Sequence, residues 1–128
     1  MNKDFEKEIR YSLLRMLSSD PDLTQREMAR SMGISLGKVN YCLSELVKKG
    51  FVKVNRFKGS RNKAGYFYIL TPHGIEEKAR LTMSFLKKKT AEYEQIRLQI
   101  RDLAREIEKE EPGHLEVNKA WKLLRHGD

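Results

Sequence analysis

The chain has a single cysteine in 128 residues, so no internal disulfide framework is possible. The opening residues, MNKDFEKEIR, mix charges of both signs and lack the apolar core of an export signal. Together these make a reducing cytoplasm the expected setting. No apolar run approaches the roughly 20 residues that a membrane span requires, so no membrane partnership is expected. Only three prolines interrupt the chain, at positions 21, 72 and 112. Metal-binding and catalytic signatures are missing as well. His73, His114 and His126 are far apart, and no Cys/His/Asp cluster has ligand spacing, which excludes a recognisable metal site. No glycine-rich phosphate loop, nucleophile elbow or paired-carboxylate motif occurs. The expectation is a protein that is not an enzyme and has no cofactor. One further absence is local: from Val47 to Ile75 there is no acidic residue.

That acid-free stretch carries Lys48, Lys49, Lys53, Arg56, Lys58, Arg61 and Lys63. The net charge of +8 is unevenly spread, with 19 Lys+Arg against 9 Asp+Glu in residues 1–89 but 4 against 7 in residues 90–111. A one-sign field attracts polyanions, although an isolated charge run is more often a solvated surface. Where the run falls in the fold decides between the two.

Residues 3–19 read as a helix whose face is Phe5, Ile9, Leu13, Met16 and Leu17. Asp20-Pro21-Asp22 ends it. Thr24 and Glu27 form a capping box, with Leu23 and Met28 placed as a hydrophobic staple, at the start of a short second helix that stops at Gly33. Ser35 is an N-cap for a third helix, about Leu36 to Lys49, with Leu36, Val39, Leu43, Leu46 and Val47 as its buried stripe and Gly50 as its stop. Two β-like runs follow, Phe51–Phe57 and Tyr66–Leu70, in which Val52 and Val54 alternate with Lys53 and Asn55. The connection between them, residues 58–65, is basic. Thr71-Pro72 then caps and opens a helix that nothing breaks before Pro112.

The second and third helices have helix-turn-helix spacing. Ala29 is small where two helices meet, Gly33 suits a left-handed turn, and Val39 packs beneath the second helix. A basic hairpin directly after them makes a winged helix, and the cation run then falls on its third helix and wing. A recognition helix places its first residues against base edges in the major groove. The candidate DNA-binding residues are therefore Leu36, Gly37, Lys38, Asn40, Tyr41, Ser44 and Lys48 on the third helix. Asn40 can pair bidentately with adenine and Lys38 with guanine. Gln25, Arg26 and Ser35, at helix starts, suit phosphates. Ser60, Arg61, Asn62 and Lys63, at the wing tip, suit the backbone or minor groove. Tyr41 has a second reading, packing on the hairpin. Cys42 reads as a small buried hydrophobe ahead of a redox sensor.

The segments QREMARSMGISLGKVNYCLSELVKKGFVK, YFYILTPHGIEEKARLTMSFLKKK and AEYEQI resemble bacterial MarR-type regulators associated with exopolysaccharide gene clusters. The resemblance spans roughly residues 9–105, and residues 35–43 and 70–82 are its most distinctive parts. It implies a winged helix-turn-helix DNA-binding regulator with Ser35 to Asn40 at the start of the recognition helix. The broader MarR architecture surrounds this domain with helices from both ends of the chain. Here one short helix precedes it and one very long one follows, so a small-molecule effector is not expected.

Along the long helix the positions Ile75, Ala79, Thr82, Leu86, Lys89, Tyr93, Ile96, Ile100, Leu103 and Ile107 alternate steps of four and three, the pattern of a coiled-coil seam. Thr82 and Lys89 weaken its middle. Leu86, Tyr93, Ile96, Ile100, Leu103 and Ile107 are the candidate dimerisation residues, and a helix of about 60 Å is too long to bury on one small domain. The competing reading folds this helix back on its own domain. Residues 115–126 form a last amphipathic segment, with Val117, Trp121 and Leu124 on one side, which either packs back on the long helix or meets a partner.

The expected fold is mainly α with a small β-hairpin, a winged helix-turn-helix plus a long C-terminal coiled-coil helix. Its divisions are 1–71 (DNA binding), 72–111 (dimerisation) and 112–128. The expected function is sequence-specific recognition of double-stranded DNA by a homodimer that regulates transcription. The alternative is a winged helix used for protein docking or RNA binding, for which Phe57, Tyr66, Phe67 and Tyr68 on the hairpin would have to be exposed.

Overall fold

A computed structural model describes residues 3–56 and 66–126. The order of elements is α1 (Lys3–Ser19), α2 (Gln25–Met32), α3 (Leu36–Lys48), β1 (Val52–Arg56), β2 (Tyr66–Leu70), α4 (Pro72–Glu110) and α5 (Leu115–His126). The chain divides into two compact units, Met1–Met83 and Ser84–Asp128, so the division falls within α4.

In the first unit, α1, α2 and α3 pack around Ile9, Leu13, Leu14, Leu17, Met28, Val39, Leu43 and Leu46, all buried. The capping box of α2 is present: Glu27 N–H donates to Thr24 Oγ1 (3.0 Å), and Thr24 N–H to Glu27 Oε1 (3.1 Å). Gly33 ends α2 at φ 66°, the left-handed conformation its position predicts.

Several expected core residues are not in the core. Phe5 and Leu36 are each 43% exposed and Val47 is 38% exposed, while Leu14, outside the expected stripe, is fully buried. Helical spacing assigns a face but not how far the neighbouring elements extend along it. Phe5 and Leu36 lie in the first turns of α1 and α3, and Val47 in the last turn of α3.

The strands β1 and β2 form an antiparallel hairpin in the register Val52↔Leu70, Val54↔Tyr68 and Arg56↔Tyr66. Val52 is buried but Val54 is exposed, which corrects the expected alternation. Burial falls off along β1, whereas every residue of β2 is half-buried.

Thr71 joins hairpin to helix. Its Oγ1 accepts from Gly74 N–H (3.0 Å) and donates to the Gly50 carbonyl, and its own N–H donates to the Phe51 carbonyl (3.1 Å). Pro72 occupies the first helical position, where no N–H is needed. Gly74 is buried against the Phe51 backbone, with no room for a β-carbon. Within this unit α4 contributes buried Leu81 and the buried Glu77 carboxylate. Glu77 accepts from Arg80 Nε (2.6 Å) on its own helix and from Arg10 (2.9 Å) on α1.

The second unit contains the distal part of α4 and α5. Glu111 N–H still bonds back to Ile107, and Gly113, at φ 80°, makes the turn. Ala104 on α4 and Val117 on α5 are buried, while Trp121 and Leu124 are half-buried. The amphipathic segment therefore packs back on α4, one of the two expected alternatives.

Candidate nucleic-acid interface

The turn into α3 sets the site. Gly33 N–H reaches the Ala29 and Arg30 carbonyls, and Ile34 N–H reaches Ala29 (3.1 Å). This leaves Ser35 extended, with its Oγ accepting from Lys38 N–H (3.1 Å). From that cap, Val39, Leu43 and Leu46 turn inward. Ser35, Leu36, Gly37, Asn40, Tyr41, Ser44 and Lys48 are exposed, and Lys38 is half-buried. Arg26, in the first turn of α2, is also exposed.

The surface has internal order. The Lys38 ammonium lies 5.6 Å from the centre of the Tyr41 ring, a cation–π contact. Tyr41 is 57% exposed, so its alternative role of packing on the hairpin does not hold. An added β-carbon at Gly37 would meet nothing within 4 Å, so the α3 backbone is open to close approach there.

Asn40 is held from behind. Gln25 Nε2 donates to Asn40 Oδ1 (3.3 Å) and to the Tyr68 hydroxyl (2.9 Å). Gln25, expected to meet phosphate, thus spends its amide donors inside the protein. It links the starts of α2 and α3 to β2. No local pattern announces this, because residues 25, 40 and 68 meet only through the fold.

On the wing, Arg56 donates to the Tyr66 hydroxyl (3.1 Å), with its guanidinium carbon 5.3 Å from the ring centre. Tyr66, Phe67 and Tyr68 are half-buried. The tip residues Ser60, Arg61, Asn62 and Lys63 lie outside the described residues, as does Phe57. Cys42 is half-buried, and burial raises its thiol pKa, so the unreactive thiol form is favoured. Among the described residues, no group of three or more His, Cys, Asp or Glu side chains could hold a metal ion. None of the described helices is long and apolar enough to cross a membrane.

Along α4, Leu86, Tyr93, Ile96, Leu103 and Ile107 are exposed and Ile100 is half-buried. The expected seam is therefore an uncovered apolar stripe on the single chain.

A sequence profile of winged helix-turn-helix DNA-binding domains matches residues 6–53, which cover most of α1, all of α2 and α3 and the start of β1. No curated protein sequence matches the chain. Among solved structures, the chain is similar to the adhesin competence repressor AdcR of Streptococcus pyogenes, at 18% identity and a TM-score of 0.56 over 83% of this chain and 81% of that one. It is also similar to a zinc-dependent MarR-family transcriptional regulator, AdcR in its zinc-bound state, at 24% identity and a TM-score of 0.52 over 71% of this chain. A third similar structure is RV1404 of Mycobacterium tuberculosis, at 17% identity and a TM-score of 0.54 over 68% of this chain. The chain spans 60% and 58% of the length of the last two. At these identities the likeness is one of fold. By that fold, the chain is a winged helix-turn-helix protein of the architecture seen in MarR-family regulators, with a long helix following the wing.

Proposed function

We propose that the protein is a sequence-specific, double-stranded DNA-binding transcriptional regulator that acts as a homodimer. One observation carries the reading. The start of α3 leaves Leu36, Gly37 and Asn40 exposed beside the exposed Ser35 cap, with Lys38 half-buried between them, at the end of the helix that a helix-turn-helix directs into the major groove. The acid-free run of seven cations from Val47 to Ile75 supports a polyanionic partner. In this reading the basic wing tip lies on the backbone or in the adjacent minor groove, and Arg26 and Ser35 meet phosphates.

The exposed stripe from Leu86 to Ile107 supports pairing of two α4 helices. Two winged helices on one dimer read two half-sites at fixed spacing, which a single small domain does not achieve with tight specificity. The names of the similar structures, MarR-family regulators and a repressor, fit this role. The narrower placement, among regulators associated with exopolysaccharide clusters, rests on residues 35–43 and 70–82. Action in the bacterial cytoplasm and the lack of enzymatic activity follow from the regulatory role.

The test is fluorescence anisotropy of the full chain on its own upstream DNA and on a scrambled duplex, across a salt series. Preference for the native duplex surviving about 0.15 M salt supports the reading. Lys38→Ala and Asn40→Ala should each weaken specific binding by about 1–3 kcal/mol while leaving the fold intact. Equal, salt-labile binding to both duplexes, unchanged by these substitutions, would sink it.

A further inference from the structure

Gln25, Asn40 and Tyr68 come from α2, α3 and β2, and a single amide group joins them. Gln25 Nε2 donates to Asn40 Oδ1 (3.3 Å) and to the Tyr68 hydroxyl (2.9 Å). The group that holds Asn40 is itself held. The Thr24–Glu27 capping box fixes the start of α2 around Gln25, and Tyr68 pairs with Val54 across the hairpin. Gln25 and Tyr68 are half-buried, whereas Asn40 is exposed. Both N–H bonds of the Gln25 amide are spent in this way, and its oxygen has nothing to donate to a phosphate.

This arrangement decides which end of the Asn40 amide is left for DNA. Reading adenine takes both ends at once: the oxygen accepts from N6 and the nitrogen donates to N7. With Oδ1 turned to Gln25, the end that Gln25 leaves unengaged is Nδ2, which only donates. On its major-groove edge guanine offers N7 and O6, two acceptors and no donor. Adenine sets a donor beside its acceptor, and cytosine presents a donor. Resting on the DNA-binding reading above, we propose that Gln25 fixes the base preference of Asn40, making a reader of guanine from an asparagine that would otherwise suit adenine. Gln25 is a positioning residue, acting on the base only through Asn40.

The close approach that this requires is open. A side chain as short as asparagine reaches a base edge only where the helix backbone comes near. Gly37 lies three residues before Asn40 and therefore on the same face of α3. None of the described residues stands within 4 Å of the β-carbon that Gly37 lacks. The reversed amide, with the Gln25 oxygen accepting from Asn40 and from Tyr68, makes the opposite prediction. It would present Oδ1 to the groove and select a base donor, adenine N6 or cytosine N4.

The test selects binding sites for the full-length protein from a library of randomised duplexes. Anisotropy then gives the affinity for the selected duplex and for its single base-pair variants. The position read by Asn40 is the one whose preference disappears in Asn40→Ala. There the parent should favour guanine over adenine by about fivefold or more. Gln25→Met keeps the length and removes the donor, and should bring that ratio below about twofold. Gln25→Glu should reverse it in favour of adenine or cytosine, because a carboxylate accepts from Nδ2 and turns Oδ1 outward. Glutamate at the first residue of α2 also suits the helix N-terminus. Preferences at the other positions should persist in both variants. A merely structural role would weaken binding to every duplex alike and reverse nothing. A parent that favours adenine or cytosine at this position overturns the proposal. So do Gln25 variants that keep the guanine preference with unchanged circular dichroism. If Asn40→Ala leaves every preference intact, specific binding stands and this role falls. If no sequence is enriched at all, the DNA-binding reading falls and takes this one with it.

Discussion

The backbone of Gly74, in the first turn of α4, lies so close to the Phe51 carbonyl oxygen that a β-carbon at position 74 would overlap it. The obstacle is backbone, and the same oxygen already accepts from Thr71 N–H. It cannot step aside without loosening the junction between hairpin and helix. Gly74→Ala should destabilise the first unit by about 1–3 kcal/mol, the usual cost of overpacking, although alanine is the better helix former. Urea unfolding measures this. A variant as stable as the parent would mean that the junction is slack.

Gly37 is the opposite case. It sits inside α3 with an ordinary φ, and none of the described residues occupies the space beside it. Gly37→Ala should therefore raise stability by roughly 0.5–1 kcal/mol through helix propensity. If the α3 backbone approaches DNA there, the same methyl weakens operator binding. Higher stability with unchanged affinity would remove Gly37 from the interface.

Glu77 ties α4 to α1 through Arg10. Its side-chain bond to Arg80 outweighs the opposing effect of burial, Arg10 adds to it, and the carboxyl is held below its ordinary pKa. A depressed folded pKa contributes stability above the unfolded value, about 4.3, that is lost as pH falls through the folded one. Glu77→Gln should cost about 2 kcal/mol at pH 7, less than for a fully buried pair because Arg80 is half exposed. The gap from the parent should narrow below about pH 4. Denaturation midpoints across pH measure it, and a constant gap would show that charge is not its source.

The wing tip is tested by salt. Arg61→Ala and Lys63→Ala should weaken binding to all duplexes alike, each lowering the slope of log K against log salt by about 0.9 if it removes one phosphate contact. An unaltered slope would place the tip away from DNA.

For the proposed dimer, Ile96→Glu and Leu103→Glu place charges on exposed seam positions. Sedimentation should then report a monomer, with helical content retained. A dimer that persists in the double variant would locate the interface elsewhere.

The sequence was most informative where a single residue or a short pattern determines the backbone. Thr24 with Glu27, Gly33, Ser35 and Pro72 marked helix ends that the structure reproduces. It was least informative where the answer depends on what lies opposite. Phe5, Leu36, Val47 and Val54 have the right chemistry and spacing for a core but outrun their neighbours. Gly74 reads as an ordinary helix residue until Phe51 is brought beside it. At the candidate site, the exposed face of α3 followed from periodicity. The role of Gln25 did not, because its partners stand 15 and 43 positions away.

That Gln25 contact has a consequence for the proposed readout. With Gln25 as donor, the oxygen of the Asn40 amide is fixed as the atom facing it, so the amide is oriented before DNA arrives. The same donor group also grips Tyr68 on the wing strand. Reading head and wing thus share a hinge pin. If the chain reads DNA as proposed, a duplex whose groove shape shifted β2 would reach the Asn40 amide through Gln25, and the preference at one base pair would then depend on the curvature of the DNA around it.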